Sequence, residues 1–117
     1  MSGPADVAKA YFARMRAGDL AVVELFHDDA VLLGLGQVTR GRDAIRAFYA
    51  SAIENGRPQP SEPVSLMADA RQAFAEVNIR LGDGGSVHAV DLFEVEDGRI
   101  RTLTYFIADH PEDEART

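Results

Sequence analysis

Apolar residues recur every three or four positions in three stretches of the first half of the chain, which is the spacing of an amphipathic helix. The predicted helices cover residues 5–17, about 20–26 and 42–53. Gly18 ends the first of them, because glycine readily takes the left-handed conformation found after many helices. Asp19 follows as an N-cap, since its carboxylate can accept a hydrogen bond from a free backbone N–H. The sequence therefore predicts a tight pair of helices and then a third.

The remainder of the chain alternates apolar and polar residues, a pattern typical of β-strands. Strands are predicted at 30–35, 37–40, 63–69, 73–82, 86–96 and 99–107. Turns or loops are predicted at 28–29, 54–62, 82–85 and 96–98, where glycine, proline, asparagine or aspartate cluster. Helices come first and long antiparallel strands come last, an order that predicts an α+β fold.

Both faces of the predicted strand at 86–96 carry apolar residues. Val87, Ala89, Phe93 and Val95 share one face, and Val90 and Leu92 share the other. One face is expected to pack against the helices, and the other needs a different cover. A second copy of the chain is the simplest cover, so we predict a homodimer that pairs through the outer face of the sheet.

Composition and charge narrow the class of protein. The chain has 117 residues, of which 46% are hydrophobic, as expected for a single globular domain. We assign residues 1–117 to one domain that ends in an acidic tail at about 109–117. The net charge is −7, and no basic cluster is present to neutralise phosphates, which argues against a nucleic-acid-binding surface.

Several other classes of site are excluded or disfavoured. There are no cysteines, which rules out disulfides and thiolate metal sites. The three histidines lack the spacing of metal ligands, so neither a metal nor another cofactor is predicted. The N-terminus lacks the apolar core of a signal peptide, and no apolar run reaches the length of a membrane span. The default prediction is a cytoplasmic protein without membrane contact.

The candidate chemistry centres on Asp91, a lone carboxyl in the apolar run 88–93. An acid in a buried strand must lose its charge or find a partner. Tyr11, on the first predicted helix, is the second candidate. A phenol and a protonated acid at the end of an apolar cavity would give two hydrogen-bond donors, which together would hold a carbonyl or enolate oxygen. Each residue has an alternative role as a buried structural side chain.

The chain resembles the nuclear-transport-factor-2-like superfamily, and within it the ketosteroid isomerase and SnoaL-like branch. The resemblance rests on motifs at 10–20, 25–30, 41–49, 91–93 and 97–101, and it covers nearly all of residues 5–108. It implies three N-terminal helices packed on a curved mixed or antiparallel sheet, forming a cone with an internal pocket. It also implies a small apolar ligand that bears a carbonyl or epoxide oxygen.

The resemblance assigns roles to three residues. Tyr11 matches the oxyanion tyrosine of the isomerases, Asp91 matches their protonated oxyanion acid, and Tyr49 matches a supporting tyrosine. Donors that are already oriented in a dry pocket stabilise the negative charge of an enolate. The general base of the isomerases falls at Gly34 or Leu35, where this sequence has neither an acid nor a base.

A substitute base depends on how strand 73–82 is oriented. Matching Phe74 to the family places Glu76, Asn78 and Arg80 on the pocket side, and Glu76 then becomes a candidate base. The alternation of the strand favours the opposite face as buried, with Ala75, Val77, Ile79 and Leu81 inside. His88 alternates away from Asp91 and is predicted on the outer face.

The remaining candidate ligand contacts are Tyr49, Phe48, Phe74, Asn78, Phe93 and Tyr105. Tyr49 and Tyr105 have packing as an alternative role. Two functions remain open. One is an isomerase, cyclase or hydrolase that uses Tyr11 and Asp91, and the other is a non-catalytic lipophile-binding or dimerisation module.

Overall fold

A computed structural model describes residues 3–34, 36–55, 59–60, 62–80 and 85–108. The helices are α1 (Pro4–Ala17), a 3-10 helix (Leu20–Leu25) and α2 (Arg42–Asn55). The strands are β1 (Phe26–Gly34), β2 (Gln37–Arg40), β3 (Gln59–Pro60), β4 (Ser65–Ala68), β5 (Gln72–Arg80), β6 (Ser86–Glu96) and β7 (Arg99–Ala108). The α+β order is confirmed. Leu35, Leu81, the predicted turn residues 82–84 and the acidic tail lie outside the described residues.

The junction between α1 and the 3-10 helix follows the predicted capping. Gly18 has a φ of 66°, and its N–H donates to the carbonyl of Met15 at 3.1 Å. The Asp19 side chain accepts a hydrogen bond from the N–H of Ala21 at 2.9 Å. The following segment is a six-residue 3-10 helix and not the predicted α-helix. Its adjacent β-branched residues Val22 and Val23 disfavour a regular α-helix.

The predicted turn at Asp28 and Asp29 is wrong, because both residues lie within β1. Arg42 pairs with Asp28, and Arg101 pairs with Asp29 at 2.5 Å. These two arginines neutralise adjacent carboxylates that would otherwise disfavour an extended strand. The pairing of β1 with β7 shifts register between Phe26 and Val31, which is the irregularity that accommodates the acidic pair.

All seven described strands belong to one mixed sheet. The hydrogen-bonded order is β2-β1-β7-β6-β5-β3, and β4 also pairs with β5. In this part of the chain β1 and β7 run parallel, whereas the other pairs are antiparallel. The last strand therefore lies in the middle of the sheet, between the first strand and β6.

The helices pack on one side of the sheet, called here the inner face; the opposite side is the outer face. The ring of Phe12 on α1 meets the ring of Phe93 on β6 edge-on, with centroids 5.6 Å apart. The buried residues of β5 and β6, together with Leu103 of β7, point to this face: Ala73, Ala75, Val77, Ile79, Ala89, Asp91, Phe93 and Leu103. The alternation of β5 predicted from its sequence pattern is confirmed.

Candidate functional site

Three tyrosine hydroxyls meet on the inner side of the sheet and form a triangle. Tyr11 comes from α1, Tyr49 from α2 and Tyr105 from β7. The oxygen–oxygen distances are 2.9 Å between Tyr11 and Tyr49, 3.0 Å between Tyr11 and Tyr105, and 2.6 Å between Tyr49 and Tyr105. Each side of this tyrosine triangle is therefore a hydrogen bond. The triangle ties both helices to the central strand.

The triangle is a closed hydrogen-bonding unit. A phenol hydroxyl has one hydrogen to donate and can accept two hydrogen bonds. Three hydroxyls joined by three hydrogen bonds therefore donate all their hydrogens to one another, while each oxygen keeps one free acceptor position. A ligand oxygen that needs a donor from the triangle must open one of its sides.

The tyrosines are held in the neutral form by their surroundings. Tyr11 and Tyr49 are 2% and 1% exposed. Burial raises the pKa of Tyr11, Tyr49 and Tyr105 above the ordinary value for a phenol, because it penalises the charged form, and mutual repulsion between the phenols adds to the effect on Tyr11 and Tyr49. The triangle therefore acts as a neutral polar group near pH 7.

Asp91 brings a carboxyl to the same side of the sheet. On β6 it lies directly opposite Tyr105 of β7 and Ala75 of β5. Its side chain is 1% exposed, and within the described part of the chain its Oδ1 atom has no hydrogen-bond partner. Burial raises the pKa of Asp91 from 3.8 to about 8, so the group is mostly a neutral acid at pH 7.

The predicted meeting of Tyr11 and Asp91 takes a different form from the one expected. Both side chains are buried on the inner side of the sheet, and the carboxyl contributes to the raised pKa of Tyr11. The hydroxyl of Tyr11, however, bonds to Tyr49 and Tyr105. The sequence alone leaves Tyr105 as either a pocket residue or a packing residue. Its place opposite Asp91 became evident only from the strand register.

The proposed role of Glu76 as a base in the interior is wrong. Its carboxylate lies on the outer face, where Oε1 accepts a hydrogen bond from Ser65 at 3.0 Å and Oε2 is 2.6 Å from Nε2 of His88. These two hydrogen bonds, that from Ser65 first, lower the pKa of Glu76. The predicted outer position of His88 is confirmed.

Two predicted ligand contacts also lie on the outer face. Phe74 is 38% exposed, and Asn78 is exposed as well. The physical reason is the two-residue period of a strand. Because Ala75 and Val77 point to the inner face, their neighbours in the strand point to the outer face. Neither Phe74 nor Asn78 can contact a ligand beside Asp91.

The two other aromatic candidates are close to the triangle. Phe93 is fully buried, and its ring centroid lies 5.2 Å from that of Tyr11. The partly buried ring of Phe48 meets the ring of Tyr49 edge-on at 5.1 Å. Both residues, which were predicted to contact a ligand, supply apolar contacts that support the tyrosines.

Other kinds of site find no support in the described ranges. No group of three or more histidine, cysteine, aspartate or glutamate side chains there is arranged to hold a metal ion. Neither α1 nor α2 has the length and apolar character that a membrane-spanning helix needs. The inner cluster of one acid and three phenols is therefore the strongest candidate site in this part of the molecule.

The comparison with protein families decides the classification of the chain. The family model of the SnoaL-like domain matches residues 8–103. The chain belongs to the SnoaL-like domain family, within the nuclear-transport-factor-2-like superfamily. The match contains Tyr11, Tyr49 and Asp91, whereas Tyr105 lies two residues beyond its end. A comparison with curated proteins found no match to this sequence.

Solved structures place this SnoaL-like domain among similar folds. The epoxide hydrolase/cyclase-like enzyme SalBIII, described in pyran ring formation in the polyether salinomycin, is 25% identical, with a TM-score of 0.74 and 88% of each chain covered. A putative polyketide cyclase from Sinorhizobium meliloti is 27% identical, with a TM-score of 0.74, 86% of this chain and 94% of that chain covered. A protein from Sphaerobacter thermophilus is 23% identical, with a TM-score of 0.77, and the match covers 94% of this chain and 100% of that chain.

Proposed function

We propose that this SnoaL-like protein binds a small, mostly apolar ligand through a carbonyl or epoxide oxygen, which takes a hydrogen bond from Asp91. The observation that carries the proposal is the buried carboxyl whose Oδ1 atom has no partner among the described residues. An unpartnered polar atom in an apolar interior costs about 1–3 kcal/mol. A ligand that hydrogen-bonds to this carboxyl removes the cost, so the protein is stabilised by filling the site.

The charge state of Asp91 suits a ligand oxygen. Because burial raises the pKa of this carboxyl to about 8, the protonated form is favoured at pH 7, and this form can donate a hydrogen bond. In a dry interior such a donor stabilises developing negative charge far better than it would in water. Opening one side of the tyrosine triangle would supply a second donor to the same oxygen.

The ligand is proposed to enter from the end of the sheet where β6 begins. Moving along the paired strands, Phe93 and Leu103 are fully buried and close one side of Asp91. On the other side Ala89 pairs with Ile107, which is 39% exposed. Small alanines at 75 and 89 flank the carboxyl, which favours access from this end.

The proposed reaction class is isomerisation, cyclisation or hydrolysis with Asp91 as acid and then base. In the opening of an epoxide, the carbon–oxygen bond breaks and the released oxygen takes the proton of Asp91. The attacking hydroxyl or water forms the new carbon–oxygen bond and gives its proton to the resulting carboxylate, which restores the acid. The likeness to the epoxide hydrolase/cyclase-like enzyme and the putative polyketide cyclase supports this class.

A binding experiment tests the oxygen site directly. We expect 2-naphthol, a phenol that presents an oxygen on an apolar ring system, to bind the wild-type protein in isothermal titration calorimetry. Asp91→Leu should weaken binding about tenfold or more, as the loss of a buried hydrogen bond does, whereas Asp91→Asn, whose amide N–H can still donate, should weaken it less. Glu76→Gln on the outer face is the matched control and should bind like wild type. Equal affinity in all four proteins would refute the oxygen site.

Turnover separates the enzyme from its alternative. The wild-type protein should convert a panel of γ- and δ-hydroxy epoxides and 5-ene-3-ketosteroids, with products followed by mass spectrometry. Asp91→Asn should lower the rate by about two orders of magnitude or more, the usual contribution of an acid–base group. A rate that survives this change would assign the chemistry to another residue.

A non-catalytic lipophile-binding module is the second candidate function. The observation that favours it concerns the buried residues of the described chain. Among them Asp91 is the only aspartate, glutamate, histidine, lysine or arginine. Gly34, where the resemblance placed the isomerase base, offers no side chain. Binding of 2-naphthol without turnover of any panel member would support this candidate.

We also propose that the outer face pairs with a second copy of the chain. A row of paired positions crosses that face from β4 to β2: Met67, Phe74, Leu92, Thr104, Leu33 and Val38. Met67, Phe74 and Val38 are 71%, 38% and 55% exposed, an apolar surface typical of an interface. Light scattering should show that the wild-type protein is a dimer and that the Met67→Glu variant is a monomer. Val64→Glu, at an exposed position outside the row, should leave it intact.

A further inference from the structure

Gly34 lies beside Tyr105 at the end of β1. Leu33 pairs with Thr104 where β1 and β7 run parallel, so the next residues of the two strands are neighbours on the inner face. Gly34 has a φ of 142°, a backbone angle that residues other than glycine rarely adopt. Tyr105 in turn lies directly opposite Asp91. Glycine, tyrosine and aspartate thus form one row across three strands.

The contact between Gly34 and Tyr105 leaves no space for a side chain. A Cβ atom added at Gly34 would lie 2.8 Å from Cβ of Tyr105, 3.2 Å from its Cδ2 and 3.1 Å from its backbone oxygen. Carbon atoms in favourable contact are about 3.5–4.0 Å apart. Any other residue at this position must therefore displace Tyr105, whose backbone is part of the contact.

The direction of this displacement is set by the sheet. Because β7 lies between β1 and β6, a side chain at Gly34 pushes Tyr105 away from β1 and toward Asp91. In the structure the Tyr105 hydroxyl bonds instead to Tyr49 at 2.6 Å and to Tyr11 at 3.0 Å. The carboxyl opposite it keeps an oxygen without a partner in the described part of the molecule.

We propose that Gly34 is a positioning residue: its missing side chain lets Tyr105 complete the tyrosine triangle and so keeps the Asp91 carboxyl free for a ligand oxygen. The part of this proposal that concerns the ligand rests on the proposed function, whereas the part that concerns Tyr105 does not. The site is thus tuned by a residue that offers no functional group of its own.

Tyrosine absorbance gives a test that needs no ligand. The chain has three tyrosines and no tryptophan, and all three form the triangle, so tyrosinate absorbance reports on this cluster alone. In wild type, ionisation should begin only above the ordinary phenol pKa of about 10. In Gly34→Ala the displaced Tyr105 should no longer raise the pKa of Tyr11 and Tyr49 by repulsion, so one of these tyrosines should ionise at a lower pH than in wild type. An unchanged titration would overturn the proposal.

Gly36→Ala is the matched control. Gly36 also has a positive φ, of 72°, but an added Cβ would meet nothing within 4 Å. This variant introduces a strained backbone without a clash, and its tyrosines should titrate like those of wild type. An equal shift in both variants would show that strain in the β1–β2 connection, and not the contact with Tyr105, moves the tyrosines, and would overturn the proposal.

Carbon-13 NMR of the Asp91 carboxyl tests the second half. In Gly34→Ala the displaced Tyr105 should donate a hydrogen bond to this group, which favours the ionised form and lowers its pKa below the wild-type value. Affinity for 2-naphthol should fall about tenfold with it. If wild type binds no 2-naphthol but both titrations shift as expected, the positioning role stands and the proposed function falls.

A measurement on the wild-type protein covers the case in which Gly34→Ala does not fold. The short contact predicts nuclear Overhauser effects between the Hα protons of Gly34 and the ring protons of Tyr105. It also predicts an upfield shift of those Hα protons by the ring. Their presence supports the positioning role, and their absence overturns it without any substitution.

Discussion

Asp91 and Glu76 are carboxyl groups on neighbouring strands, one register step apart, and they lie on opposite faces of the sheet. Ala75 pairs with Asp91, and Glu76 pairs with Val90. Asp91 is 1% exposed and its pKa rises to about 8 through burial. Glu76 bonds to Ser65 and His88, and its pKa falls. Two acids that lie one register position apart in the sheet thus differ in ionisation, because they lie on opposite faces.

The difference shows that the face of the strand, and not the residue type, decides what each group can do. Glu76 already has its hydrogen-bond partners, so it gains little from a ligand. Asp91 has an oxygen without a partner among the described residues, and its raised pKa favours the protonated form near pH 7. The resemblance that made Glu76 a candidate base failed at this one-residue step, because a slip of one position exchanges the two faces.

The largest expected effect is the pH dependence of stability caused by Asp91. Its folded-state pKa of about 8 lies above the ordinary value of 3.8, so between these values the folded protein keeps a proton that the unfolded chain releases. The free energy of unfolding therefore falls as pH rises through this interval, by at most roughly 6 kcal/mol, and the loss is complete above about pH 8. Urea unfolding at about pH 5 and pH 8 measures it.

Asp91→Asn supplies the control for this prediction, because the amide does not titrate. The difference between wild type and Asp91→Asn should change in favour of the variant as pH rises from about 5 to 8. A difference that stays constant over that range would show that Asp91 is already ionised in the folded protein, and the proposed donor would be lost.

Two phenylalanines on the opposite faces sharpen the comparison. Phe93 is fully buried against α1, and Phe93→Ala should lower the free energy of unfolding by about 3–5 kcal/mol. Phe74 is 38% exposed on the outer face, and Phe74→Ala should cost about 1 kcal/mol or less at protein concentrations low enough to give monomers. Denaturation curves that rank the two the other way would contradict the assignment of faces.

A smaller effect is expected from the tyrosine triangle itself. Tyr49→Phe keeps the ring but removes two of the three hydrogen bonds, those to Tyr11 and Tyr105. The remaining pair still satisfies one donor, so the free energy of unfolding should fall by about 1–2 kcal/mol. Phe48→Leu, which changes a neighbouring ring without touching a hydroxyl, is the control for packing, and only Tyr49→Phe should alter tyrosinate titration.

The smallest effect is expected from Glu76→Gln on the outer face. The lowered pKa of Glu76 means that its contribution to stability is present above the ordinary glutamate pKa and is lost as pH falls through the lowered value. The effect has the opposite sign to that of Asp91. Urea midpoints of wild type and Glu76→Gln should differ slightly at neutral pH and converge in acid. A difference that grows in acid would refute the assignment.

The pattern of the sequence predicted those parts of the fold that depend on local physics. The alternation of β5 gave its buried face correctly, because four small or branched apolar residues in register leave no other orientation. The helix end at Gly18 and the N-cap at Asp19 followed from backbone chemistry. Asp28 and Asp29 were misplaced because the arginines that pair with them are distant in sequence.

The candidate site was only partly predictable for the same reason. Asp91 was identifiable as an acid in an apolar strand, and Tyr11 and Tyr49 followed from the resemblance. The central role of Tyr105 depends on its place opposite Asp91 and on its hydrogen bonds to two distant helices, which no local pattern specifies. The importance of Gly34 depends on a distance to Tyr105, a property that appears only after the strands are aligned.

The central position of β7 also determines when the site can exist during folding. Tyr11 and Tyr105 are 94 residues apart along the chain, and the strand that carries Tyr105 completes the sheet between two earlier strands. Contacts of such long range form slowly, since a large loop must close before they are made. A ribosome-bound chain that still lacks β7 cannot form the tyrosine triangle, so this cluster can be completed only after synthesis has passed Tyr105.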